Sequence, residues 1–172
     1  MTLRCVALLG VVLAAGIVNA TSDSTEDWQT YTDRILGVTF RCPKQWKVDD
    51  RYYDAYHDSY LRGPDGHVSL EAAGANTPLE QCQEDAGHKL QPFGTHPTIR
   101  SMKIQGLDAC LVWPSDDQEQ IAGKGRAEAE LVVRLPRPVE IGGDSYPQLE
   151  LRADPNHISK IAETLTFIAP RK

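Results

Sequence analysis

The sequence predicts an α+β domain, a twisted antiparallel sheet of consecutive hairpins flanked by two main helices. Three observations predict it. Short runs alternate apolar and polar residues, as strands with two unlike faces do. Turn-forming clusters, Gly63-Pro64-Asp65-Gly66, Gln105-Gly106 and Gly142-Gly143-Asp144, separate those runs. Two segments instead carry helix-starting signals followed by apolar residues at three- and four-residue steps. Hairpins that follow one another, with helices inserted among them, indicate α+β architecture and not a strand–helix alternation.

The elements follow in order. Bulky residues alternate over 28–32, as in an edge strand, and Leu36-Gly37 turns the chain into residues 38–42. There Val38, Phe40 and Cys42 share one face, and Pro43 ends the strand because it has no N–H for a ladder. Residues 59–62 and 68–72 flank the Pro-Asp-Gly turn as a hairpin. A helix then starts at Thr77: a good N-cap, Pro78 at the first helical position, and Glu80 to complete a capping box. Leu79, Cys82, Ala86 and Leu90 form its apolar stripe, with Pro92 and Gly94 closing it. Residues 99–104 and 107–113 make a second hairpin, followed by a polar loop over 115–125. Ala127, Ala129, Leu131, Val133 and Leu135 then alternate with Glu128, Glu130 and Arg134, which predicts one buried and one wet face. Pro136 and Pro138 interrupt that strand, and residues 139–141 and 146–151 form a last hairpin. Asp154 and Pro155 cap a final helix with Ile158, Ile161, Ala162 and Leu165 on its apolar side.

The run Val38-Thr39-Phe40-Arg41-Cys42-Pro43-Lys44-Gln45-Trp46-Lys47-Val48 resembles the opening of small exported PsbP-like domains, which carry an aromatic-x-x-Pro-x-x-Trp signature. The closing stretch Ile161-Ala162-Glu163-Thr164-Leu165-Thr166-Phe167 is similar to their terminal helix and short apolar tail, so the resemblance covers about residues 28–167. It implies an α/β/α sandwich and a non-catalytic module that assists assembly of, or binds to, larger complexes. Cys42 departs from the pattern, standing where an aromatic residue is expected, and no binding residue is carried over. Physically, Phe40 enters the core, Pro43 stops the strand and Trp46 folds back over the apolar edge, contributing through buried area.

Arg4, an uncharged apolar run over 5–18, and Val18 and Ala20 at the third and first positions before a cut read as a signal peptide over 1–20. The run is short for a bilayer, which takes about 20 apolar residues. Residues 21–27 are a polar, acidic leader expected to be disordered, 28–168 a single domain and 169–172 a tail. Cleavage removes Cys5 and destroys the sequon Asn19-Ala20-Thr21. The formal net charge is −6, and one unit more negative without Arg4. An acidic chain does not fit a nucleic-acid partner, which requires a basic patch. The expected mature protein is soluble, monomeric, without stable membrane insertion, and secreted or located in the cell envelope.

Cys42, Cys82 and Cys110 then remain, which predicts one disulfide and one thiol. Cys82 lies on the helix stripe and Cys110 in a strand that such a helix can cover, so Cys82–Cys110 is the favoured pairing and Cys42 the buried thiol. The other two pairings stay open on sequence alone. Three function classes remain. The first is a binding module, whose recognition residues are sought in the tyrosine-rich stretch 49–60: Tyr52, Tyr53, Tyr56, His57 and Tyr60. Tyrosine gives large contact area at low entropic cost. The plainer alternative is a long loop whose rings rest on the sheet edge. A hydrolase using Cys42 with a histidine base, or scattered His and Asp residues, is the second, although an apolar face does not lower a thiol pKa. The third is an inhibitor presenting the loop 115–125. His57, His67, His88, His96 and His157 show no metal-site spacing, and no cofactor motif appears. The expected partner is a protein or an envelope component.

Overall fold

The computed structural model describes residues 27–53, 56–74, 77–122 and 127–168. The expected signal peptide, nearly all of the leader and the tail lie outside these. In chain order the elements are β1 (Trp28–Asp33), β2 (Val38–Pro43), β3 (Lys47–Tyr53), β4 (Tyr56–Gly63), β5 (Gly66–Ala73) and α1 (Pro78–Ala86). They continue with β6 (Thr98–Ile104), β7 (Leu107–Trp113), α2 (Gln118–Ala122), β8 (Ala129–Ile141), β9 (Asp144–Ala153), α3 (Pro155–Thr164) and β10 (Thr166–Phe167). The described residues are thus mostly antiparallel sheet, with three helices. The strands form two sheets: a seven-stranded one in the order β3-β4-β5-β9-β8-β7-β6 and a three-stranded one in the order β1-β2-β10.

Alternation along the strands explains where the core lies. Leu61, Val68, Leu70, Leu131, Val133, Leu149 and Leu151 project from one face of the large sheet. They pack with Val38, Phe40 and Cys42 of β2 and Ile158 and Ile161 of α3. Polar side chains also join the two sheets. Tyr31 donates to Ser59 Oγ at 3.0 Å, and Ser59 donates to Asp33 Oδ2 at 2.6 Å. Asp33 Oδ1 also accepts the N–H groups of Ile35 and Leu36, which shapes the β1–β2 turn. Trp46 is buried over the Pro-Asp-Gly turn, its indole N–H donating to Asp65 Oδ1 at 2.8 Å. Gly63 and Gly66 let the ring approach the backbone, because a Cβ at Gly63 would overlap the indole.

The second face carries a smaller core of Cys82, Phe93, Cys110, Val112 and Val132 beneath α1. The capping box at Thr77 and Glu80 forms as the residues require. The helix is shorter than its stripe predicts: it ends at Ala86, where Gly87 caps it and donates to Gln83 O. Leu90, in phase with the stripe, is instead 76% exposed, and Phe93 supplies the buried side chain. The Cys82–Cys110 pairing is present, with Cα atoms 6.4 Å apart.

Four further expectations change. Residues 49–60 are not a long loop: β3 and β4 pair there, Tyr52 with His57 and Tyr53 with Tyr56. Tyrosine and β-branched-like bulk suit a strand, and this outweighed the charge of the segment. The loop 115–125 includes α2, anchored by the buried Gln118. The polar face of β8 is not wet, since Glu130 and Val132 are fully buried. The prolines do not end β8 either; they fall in a register irregularity between Arg134 and Val139, where a missing N–H is tolerated.

Candidate functional site

The covered face of the large sheet is built from a cross-strand register. One row runs Val112, Glu130, Arg152, Ser69, Tyr60 across β7, β8, β9, β5 and β4. The next runs Cys110, Val132, Glu150, Glu71, Asp58. The helix α1 packs on β6, β7 and β8. The apolar end of each row is therefore buried by the helix, the charged centre sits at its margin, and the β4–β5 end lies open.

In the centre, Arg152 Nε lies 2.9 Å from Glu130 Oε2, and Arg152 Nη2 reaches Glu150 Oε1 at 2.5 Å. Asp85 of α1 brings a third carboxylate, and oxygens of Asp85, Glu130 and Glu150 all lie within 4.8 Å of one another. Phe93 closes the arrangement, its ring centroid 6.0 Å from the guanidinium carbon. Burial, followed by the charges of Glu150 and Asp85, pushes the Glu130 carboxyl up to about 9. Burial also raises Glu150, to about 7, against the pull of Arg152. For Arg152, burial works against the charge, but Glu150 and Glu130 more than offset it and hold the guanidinium above its usual value. One arginine thus faces more carboxylates than it can neutralise. The pair Glu130/Glu150 retains a proton near neutral pH, and its titration belongs to both residues together. Chemically this cluster stores a proton; its three carboxylates are also oxygen donors of the kind a hard divalent cation takes. Arg152 already bonds two of those three carboxylates, Glu130 and Glu150.

The open end is a polar–aromatic patch. Tyr60 accepts two hydrogen bonds from Arg62, from Nε at 3.0 Å and Nη2 at 2.6 Å. Its ring lies 5.7 Å from that of His67, and His67 Nε2 is 2.8 Å from Glu128 Oε1. These contacts hold Tyr60 in one arrangement before any partner arrives.

Of the five residues expected to bind, Tyr60 is in this patch. In the backbone register Tyr52 lies opposite His57 and Tyr53 opposite Tyr56.

The competing classes find weaker footing. Cys42 is fully buried, and burial pushes its thiol pKa up, opposed in part by a hydrogen bond with Gln29; neither exposure nor activation favours a nucleophile. The described part of the 115–125 segment is anchored by hydrogen bonds at Ser115, Asp117 and Gln118. Ser115 and Thr95 both donate to Asp117 at 2.5 Å, and these bonds hold its carboxyl at about 2. Gln118 bonds to Pro92 O, Glu128 O and Glu128 N. His157 has a structural role at the start of α3, 2.8 Å from the capping Asp154 and against the Trp46 ring.

Sequence reasoning missed the carboxylate cluster, because Asp85, Glu130 and Glu150 are far apart in the chain and Glu130 lay on a face read as wet. Val132 and Val112 were the available signal: aliphatic residues on the polar faces of two neighbouring strands call for a cover.

No protein-family model matches the chain, and no curated protein matches it. Among solved structures the chain is similar to the solution structure of cyanobacterial PsbP (CyanoP) from Synechocystis sp. PCC 6803. The identity is 11%, over 88% of this chain and 98% of that one, with a TM-score of 0.46. The likeness is one of fold.

Proposed function

We propose that this chain is an exported, non-catalytic binding or assembly-assisting module of the cell envelope or extracellular space. Its recognition surface is the open end of the covered face, centred on Tyr60. The single observation that carries this is the pre-set Tyr60–Arg62–His67–Glu128 network on β4 and β5, which among the described residues pack mainly against neighbouring strands. Interfaces draw much of their affinity from tyrosine and arginine fixed in advance, because little rotamer freedom is then lost on binding. The Cys82–Cys110 pair supports an oxidising compartment, where disulfides persist. Among the described residues no helix is long and apolar enough to cross a membrane. The domain spans residues 28–168, in a layered arrangement with helices on the two sides of the large sheet, and acts as a monomer.

The test is recovery of partners from the native extracellular or envelope fraction with the tagged chain, compared with Tyr60→Ala/Arg62→Ala and with Tyr52, Tyr53 and Tyr56 all changed to Ala. Loss of one defined partner with both variants, with unchanged circular dichroism, supports the proposal. Equal recovery by wild type and both variants removes this surface from consideration.

A further inference from the structure

A second site lies away from the tyrosine patch, between the β1–β2 turn and the irregular middle of β8. Pro136 and Pro138 cannot donate to a ladder, and the β8–β9 register is broken from Arg134 to Val139. The strand there leaves a half-open cavity of about 610 Å³ facing the turn. That volume falls within the range of small-ligand sites, roughly 300–1,000 Å³. Leu36 and Leu135 form a buried floor, while Ile35 and Ile168 are 44% and 39% exposed at its walls. Exposed aliphatic side chains are unremarkable singly, but two of them beside a continuous apolar floor form a patch.

Charge gives the patch a polarity. Arg34 and Arg137 both line the cavity, and none of the lining residues is acidic. Both arginines are exposed, and neither is in an ion pair among the described residues. On a chain with a formal net charge of −6 this is a local reversal of sign. The hydroxyls of Thr32 and Thr39 share one hydrogen bond at 2.9 Å, which uses one of their two protons, so the charged donors for an anion at this mouth are the guanidinium groups.

We propose that this cavity binds an apolar monoanion of the fatty-acid class. The aliphatic body lies on Leu36, Leu135 and Val139 between Ile35 and Ile168, and the carboxylate meets Arg34 and Arg137 at the mouth. Guanidinium groups suit this role because they present paired N–H donors that match a carboxylate and are less strongly hydrated than an ammonium.

The experiment titrates the full chain with dodecanoate below its micelle concentration, by calorimetry and by methyl NMR, alongside dodecanol and dodecylamine. Dodecanoate is expected to bind saturably and to shift the methyl signals of Ile35, Leu36, Leu135, Val139 and Ile168. Dodecanol is expected to bind about tenfold or more weakly, and Arg34→Gln/Arg137→Gln to weaken dodecanoate to a similar degree, as loss of charged hydrogen bonds implies. Ile35→Asp, at an exposed position that does not threaten folding, is expected to abolish binding. No saturable binding, equal affinity for the acid and the alcohol, unaltered binding by either variant, or shifts confined to other methyl groups would each overturn the proposal. The Tyr60→Ala/Arg62→Ala variant is expected to bind dodecanoate as wild type does, which separates failure of this site from failure of the tyrosine surface.

Discussion

Replacing Glu130 with glutamine should remove most of the dependence of stability on pH between about pH 6 and pH 9. In the folded chain the Glu130/Glu150 pair keeps a proton because burial raises both carboxyls, helped at Glu130 by the charges of Glu150 and Asp85 and at Glu150 by those of Glu71 and Asp85, Glu130 to about 9 and Glu150 to about 7. Unfolded glutamate releases its proton near 4.5. A folded-state pKa raised above the unfolded one gives stability that is complete below the unfolded value and is lost as pH rises through the folded value. Stability should therefore begin to fall just above pH 4.5 and continue to fall across the window from about pH 6 to about pH 9. One proton bound only in the folded state corresponds to about 1.4 kcal/mol per pH unit. Across that window the loss is roughly 3–4 kcal/mol, a large share of the 5–15 kcal/mol typical of a domain. For a chain of this size it lowers the melting temperature by about 10 °C. Glutamine keeps the shape and neutrality of the protonated acid: its carbonyl can accept from Arg152 and its amide can donate to Glu150. Urea melts at pH 6, 7, 8 and 9 of both proteins measure the two slopes. Parallel slopes would mean that Glu130 does not hold the proton, and a wild type that gains stability with pH would reverse the sign derived from burial.

Changing Cys82 and Cys110 together to Ala should cost about 3–4 kcal/mol, the loop-closure estimate for a sequence separation of 28, read by urea unfolding against wild type. Cys42 should resist Ellman's reagent in the native protein and react after unfolding, since burial both hides its thiol and raises its pKa; rapid native labelling would contradict that placement. Gly63→Ala should destabilise by about 1–3 kcal/mol, because its Cβ forces Trp46 off the turn. The shift should also appear in tryptophan fluorescence, and a variant with unchanged emission and stability would show that the indole does not need that glycine.

Much of the fold was legible because its signals are local. The capping box at Thr77, the Pro-Asp-Gly turn and the apolar stripe of Ile158 and Ile161 act through neighbours in the chain, and each formed. Local signals also explain the error at Leu90: its phase continued the stripe, but Gly87, which weakens a helix, ended it first. Sheet order was not legible. Nothing between residues 66 and 153 announces that β5 pairs with β9, since an alternating pattern says which residues share a face and not which strand lies beside them. The same blindness hid the site. Glu130 had the spacing of a solvated residue, and only the path of α1, fixed by Cys82 on Cys110, makes it a buried one. Tyr60 stands out by composition alone; the Pro-Asp-Gly hairpin brings Arg62 and His67 beside it, but Glu128 joins them only through the order of the sheet.

The small sheet bears on the order of events in folding. Strand β2 lies between β1 and β10, pairing Val38 with Asp33 on one side and with Phe167 on the other. Arg41 N–H also donates to Thr164 Oγ1 across 123 residues of sequence. The early strands are therefore completed by the last element described, and β5 waits for β9 in the same way. Contacts of such long range must meet a loop-closure cost before they return any stability, which slows folding towards the millisecond-to-second range. A chain threaded through a membrane with its amino end first would expose an unfinished β1–β2 hairpin until residues near 167 emerged. Both sheets are therefore complete only when nearly all of the domain is available to pair.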